Sequence, residues 1–144
     1  MHRGQEGSAT IFGLGLVIMI FLVGGMSIDL WRVIAERQDL VQKADAAAAA
    51  GANQIDIAEY RLNGILVLDN AAATQAAQEI LGQPSTWDFT AVNGGVETRD
   101  GDGLADDMVV ELSREVEFAL LGILSQTKSV TITVESVASP QSTG

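Results

Sequence analysis

Asp100–Asp107 reads DGDGLADD, four carboxylates and two glycines in eight residues, the densest set of oxygen ligands in the chain. Calcium takes six to eight oxygens, and acidic loops that turn on a glycine supply them. Numbered from Asp100, such a loop has acids at its first, third and seventh places, Asp100, Asp102 and Asp106, with Asp107 beside them and Glu111 at the twelfth. Its fifth and sixth places are Leu104 and Ala105, where a calcium loop needs an oxygen and a glycine. The competing reading is a hairpin turn between VNGGVETR and DMVVEL, because Asp-Gly is a favoured turn dipeptide. These residues favour the turn, with a calcium-dependent binding module as the alternative.

A second pair of charges stands at the end of an apolar run. Asp29 and Arg32 are three residues apart, a spacing that places both on one helix face. They read as a charge pair marking a boundary, or as a contact to a partner helix or lipid headgroups. Other chemistry is scarce. The chain has no cysteine, and its one histidine is His2, so thiolate sites, imidazole triads and most zinc sites are excluded. There is no nucleophile elbow and no phosphate loop. No catalytic residue, cofactor or small-molecule substrate is expected, and the chain does not read as an enzyme. Its formal net charge of −11 argues against nucleic-acid binding, which needs Lys and Arg.

The elements around these residues begin with EGSATIFGLGLVIMIFLVGGMSIDLWR. Gly7 to Ile28 is 22 residues without a charge. As a helix it reaches roughly 33 Å, enough for a hydrocarbon core of about 30 Å. A core helix of a soluble protein would show polar residues every third or fourth position. A cleaved signal peptide would have a shorter apolar run and a small-x-small cleavage site. The run therefore reads as a membrane span that stays, with Trp31 in the aromatic belt beside it. The short, weakly basic tail before it belongs in the cytoplasm and the large acidic part outside, giving a single-pass protein of the cytoplasmic membrane.

Beyond the span the helix is expected to continue to about Asn53. Leu30, Ile34, Val41, Ala44 and Ala48 fall near one face, and Glu36, Arg37, Gln38, Asp39 and Lys43 occupy much of the rest. The seam of small residues at Ala44 and Ala48 admits close packing, either on the chain's own domain or on a neighbouring copy or partner. NQIDIAEYRLNG is a weakly patterned join. DNAAATQAAQEILGQP reads as a second helix capped by Asp69 or Asn70, with Ala73, Ala76, Ala77, Ile80 and Leu81 as its apolar stripe. Then the period changes to two: TWDFTAV with Trp87, Phe89 and Ala91 on one face, DMVVEL with Met108, Val110 and Leu112, and SVTITVESV with Val130, Ile132 and Val134. REVEFALLGILSQTK between the last two reads as a short apolar helix or crossover. The fold class is α+β, a long N-terminal helix followed by a short helix and a mainly antiparallel sheet of about three strands. The divisions are a tail at 1–6, the span at 7–28, a helical stalk and join at 29–63, an exported α+β domain at 64–137 and a disordered tail at 138–144.

The order of these features resembles the TadE/TadG-like proteins of the Flp (Tad) pilus system. GSATIFGLGL, GGMSIDLWR and RQDLVQKADAAAAAGA follow that family's pattern of Gly, span, Asp, Arg and a Gln/Ala/Asp-rich stretch. DMVVELSREVEFALLGI followed by SVTITVESVAS matches its C-terminal pattern. Cleaved minor pilins of this system carry a Glu five residues after the Gly, but here Phe12 stands five after Gly7, and Ala9 five after Gly4. The chain is more similar to the uncleaved, TadG-like members. The resemblance implies a non-catalytic, membrane-anchored component of pilus assembly or a related export apparatus. Its implied partners are lipids, other pilus components or copies of itself.

Overall fold

The computed structural model describes residues 6–82, 90–99, 103–124 and 127–140. The first element, α1, is a single helix of 47 residues, Glu6–Ala52. Nothing in its sequence interrupts it: proline is absent, and a charged stretch at 29–43 leads from the uncharged run into an alanine-rich stretch of high helix propensity. Contacts divide the chain into two units, residues 1–35 with 116–130, and residues 36–115 with 131–144.

In the first unit, Gly25 and Asp29 are the buried positions of residues 8–35. The large apolar side chains there, Phe12, Val17, Phe21 and Ile28 among them, stand exposed. Leu30 and Ile34 were expected on the packed face, yet they are 59% and 45% exposed. In this stretch protein meets the helix on the Gly25–Asp29 side, and Leu30 and Ile34 project away from it. The same unit holds the short helix α4, Leu121–Leu124.

In the second unit α1 buries Glu36, Leu40, Ala44, Ala47, Ala48 and Ala52. These steps of three and four trace one stripe, rotated from the expected one so that Leu40 enters the core. Glu36, expected on the solvated side, is 4% exposed. The helix α2, Ile57–Asn63, forms where only a join was expected. It buries nothing and so has no apolar periodicity. Its ends hold it instead. Asp56 accepts the N–H groups of Ala58 and Glu59, and Gly64 closes it at φ 70°, a left-handed value that suits glycine. The next helix, α3, Asn70–Leu81, starts at Asp69, whose carboxylate accepts from Ala71 and Ala72, and buries Ala73 and Ala77.

The sheet is three-stranded and antiparallel, in the order β1-β2-β3, with β1 at Thr90–Glu97, β2 at Asp107–Glu117 and β3 at Ser129–Ala138. The pairing of β1 with β2 runs from Thr90↔Ser113 to Glu97↔Asp107 and slips at a bulge between Ala91 and Asn93. The described strand thus takes in the last three residues of TWDFTAV, Thr90 to Val92, and runs on to Glu97. Trp87 and Phe89 fall outside the described residues. The strand runs through Asn93, Gly94 and Gly95, residues of low strand propensity that pair because β2 is in place beside them. Met108, Val110 and Leu112 are buried as expected, but Asp107 and Val109 on the alternate face are buried too. Strand β2 continues through Glu117, into the segment expected to be a short helix or crossover. In β3 the alternation holds: Ile132 and Val134 are buried, while Thr131, Thr133 and Glu135 are exposed.

Candidate functional site at the end of the apolar helix

Asp29 follows the last residue of the uncharged run, and its side chain is 2% exposed. Its Oδ1 accepts the N–H of Ala119 at 3.1 Å, and its Oδ2 accepts those of Leu120 at 2.8 Å and Leu121 at 2.7 Å. One carboxylate thus holds the turn between β2 and β3 against α1. One helical turn earlier, Gly25 meets the same turn. A β-carbon at that position would collide with Leu120 Cδ1, so only glycine lets the leucine lie on the helix backbone. The turn is fastened at its other end by Phe118 N–H, which donates to the Lys128 carbonyl at 2.8 Å.

The expected partner of Asp29 was Arg32, one turn on. The carboxylate accepts backbone amides 90 and more positions away, and the charge of exposed Arg32 acts on it as well. Ile28, at the end of the expected span, is 67% exposed, and Gly7, at its start, lies within α1. Ala44 and Ala48 are fully buried within the second unit, where they form part of its core.

Of the acidic loop's four aspartates, Asp106 and Asp107 are among the described residues. Asp107 Oδ2 accepts the Arg99 N–H at 2.8 Å, and its Oδ1 accepts the Ser139 hydroxyl. Asp106 is half-buried beside it, and Asp100 and Asp102 lie outside the described residues. Among the described residues no group of three or more His, Cys, Asp or Glu is placed to hold a metal ion. Glu111 belongs to β2 and accepts from the Asn93 side chain at 3.3 Å. A shallow cavity of about 150 Å³ lies between α3 and β1–β2, and its lining, Thr74, Gln78, Asn93 and Met108 among others, includes no ionisable side chain. It offers neither a general base nor a nucleophile with one.

Two features escaped the sequence. The ion pair Glu36–Arg114 joins α1 to β2 inside the second unit at 2.5 Å. The capture of residues 119–121 by Asp29 is the other. Its one local signal was a carboxylate placed directly after a long uncharged run, where an unsatisfied charge is costly.

Residues 7–54 match the family model described as putative Flp pilus-assembly TadE/G-like. The matched segment covers α1, with Asp29 inside it. No curated protein and no solved structure matches the chain.

Proposed function

We propose, with the TadE/G-like domain of residues 7–54 as the premise, that this chain is a non-catalytic, membrane-anchored component of Flp/Tad pilus assembly or a related export apparatus. The observation that carries the reading is a coincidence of position. The matched segment is the helix that is long and apolar enough to cross a membrane, and the large apolar side chains of its first half are uncovered by the rest of the protein. Helix faces of that kind are stable in hydrocarbon. In this reading residues 7–28 cross the cytoplasmic membrane once, the short tail is cytoplasmic, and the acidic remainder is outside. Its partners are lipid and other pilus components or further copies of itself. Phe12 stands where prepilin peptidase substrates of the system carry Glu, so the anchor is retained.

The test is loss and restoration of the fibre in the native cell. Deleting the gene should abolish or sharply reduce surface pili, and the full chain supplied in trans should restore them. Unchanged piliation in the deletion strain would overturn the reading. A periplasm-dependent reporter fused after Gly144 checks the orientation, and signal from a cytoplasmic reporter at that position would reverse it.

A further inference from the structure

We propose that the turn from Phe118 to Ile123, held by Asp29, is a second membrane contact of this chain, dipping its Leu120 and Ile123 side chains into the lipid beside the point where α1 leaves the bilayer. The inference rests on the anchor reading above and adds to it a lipid-inserting loop.

Three observations carry it. The first is depth. Asp29 directly follows the uncharged run, and Leu120 packs on Gly25, one turn or about 6 Å further into that run. A side chain resting on Gly25 lies within the apolar stretch of the helix, so the turn reaches below the level of Asp29. The second is the character of its surface. Ile123 is 79% exposed and Leu120 is 39% exposed, and the helix of the same unit also exposes Ile28 and Trp31. Leu120, which rests on Gly25, thus brings uncovered apolar surface to a helix that exposes its own.

The third is the backbone. Irregular chain is tolerated at the edge of hydrocarbon only when its polar groups find partners within the protein. In this turn the N–H groups of five of the six residues do. The N–H of Phe118 donates to the Lys128 carbonyl, those of Ala119, Leu120 and Leu121 donate to Asp29, and that of Ile123 donates to the Leu120 carbonyl at 3.1 Å. The same bonds occupy both oxygens of the Asp29 carboxylate, so it too is satisfied without water. A turn exposed to water has no such need, because water would serve those amides. Exposed Lys128, at the base of the turn, has the long stem and cationic head suited to lipid phosphates.

The occupant is lipid, the continuation of what surrounds the helix. The test uses the full chain, which contains no cysteine, in phospholipid vesicles. Ile123→Cys and Val17→Cys, each at an exposed position, are labelled separately with an environment-sensitive fluorophore. Two lipids report depth, one spin-labelled near the headgroup and one near the end of the acyl chain, and iodide reports water. At Ile123 the shallow lipid label should remove most of the emission, the deep label less, and iodide little. At Val17 the deep label should dominate. Strong iodide quenching at Ile123 with lipid quenching retained at Val17 would overturn the insertion and leave the anchor standing. Protection of Ile123 from both lipid and iodide would place another protein surface, such as a second copy, over the turn, and would also overturn it. Loss of lipid quenching at Val17 would remove the anchor reading itself. Asp29→Asn, measured with the label at Ile123, should shift quenching from lipid towards iodide while Val17 is unchanged.

Discussion

Arg114 on β2 donates through Nη1 to Glu36 Oε2 on α1 at 2.5 Å, and the two side chains are 13% and 4% exposed. Charges taken this far from water are tolerated only as a pair, because each alone would carry an uncompensated desolvation penalty. Glu36→Ala should therefore lower stability by roughly 3–5 kcal/mol. The double replacement Glu36→Leu with Arg114→Met, which removes both charges and keeps volume, should recover most of that loss. Thermal unfolding of the full chain in detergent micelles measures both. A double variant as unstable as Glu36→Ala would mean that the charges themselves hold the helix to the strand.

Strand β3 presents alternate residues to opposite environments. Ile132 is 8% exposed and Thr133 is exposed. Ile132→Ala should lower stability by roughly 2–5 kcal/mol through the lost transfer energy and the cavity left behind. Thr133→Ala should change it by about half a kcal/mol or less. Equal effects in denaturant unfolding would show that the inward face of β3 is wrongly identified.

Gly51 lies on α1 against Met108 of β2 and Ala73 of α3. A β-carbon there would stand 2.5 Å from Met108 Cγ, 2.9 Å from its Sδ and 3.1 Å from the Ala73 carbonyl oxygen. Gly51→Ala gains helix propensity, up to about 1 kcal/mol. Overpacking costs about 1–3 kcal/mol, and the Ala73 contact is backbone, which cannot rotate away. The expected result is net destabilisation, read as a lower unfolding temperature. Met108→Ala in the same chain should then relieve part of the Gly51→Ala penalty, and a stabilised Gly51→Ala variant would show that the helix shifts freely.

The guanidinium of Arg99 grips Glu135 through two bonds, at 2.6 and 3.1 Å, and also bonds Glu97 at 3.2 Å. Hydrogen bonding from Arg99 holds the Glu135 carboxyl below the usual carboxylate range. A depressed folded-state pKa means that the pair stabilises the protein above the unfolded value, about 4.3, and that this contribution is lost as pH falls through the folded value. Arg99 stays charged throughout, since Glu135 and Glu97 raise its pKa further. Glu135→Gln should therefore be less stable than the parent near neutral pH and converge with it in acid. Both side chains are about two-fifths exposed, so the gap should be modest and should shrink with salt. A gap that persists at the acid end would point to packing and not to charge.

What the residues alone revealed follows from how far apart the interacting partners lie. The course of α1 was legible because its long uncharged run and its alanine-rich end are local signals, and β3 was legible because its alternation is local. The rotational setting of α1 beyond Asp29 was not, because the side chosen for burial depends on where Arg114 and Met108 arrive from the distant sheet. The strand β1 was foreseen only as far as Val92, because Gly94 and Gly95 do not advertise a strand. Helix α2 was missed, because what marks it is its two ends, Asp56 and Gly64, and not a periodicity. At the candidate site, Asp29 stood out by position, but its acceptance of amides 90 and more residues away has no periodic signature.

The grip of Asp29 on the turn is blind to side-chain identity. It holds main-chain N–H groups, which every residue except proline supplies. The composition of 119–121 is therefore free to drift, apart from the demand at 120 for a side chain that fits against Gly25, while the position of the turn stays fixed by one carboxylate and one glycine on α1. Attachment and surface character are separately heritable. A graft that exchanges the turn for another sequence of equal length should keep its mooring and acquire new wetting properties, whereas a single change at residue 29 unmoors every version of it.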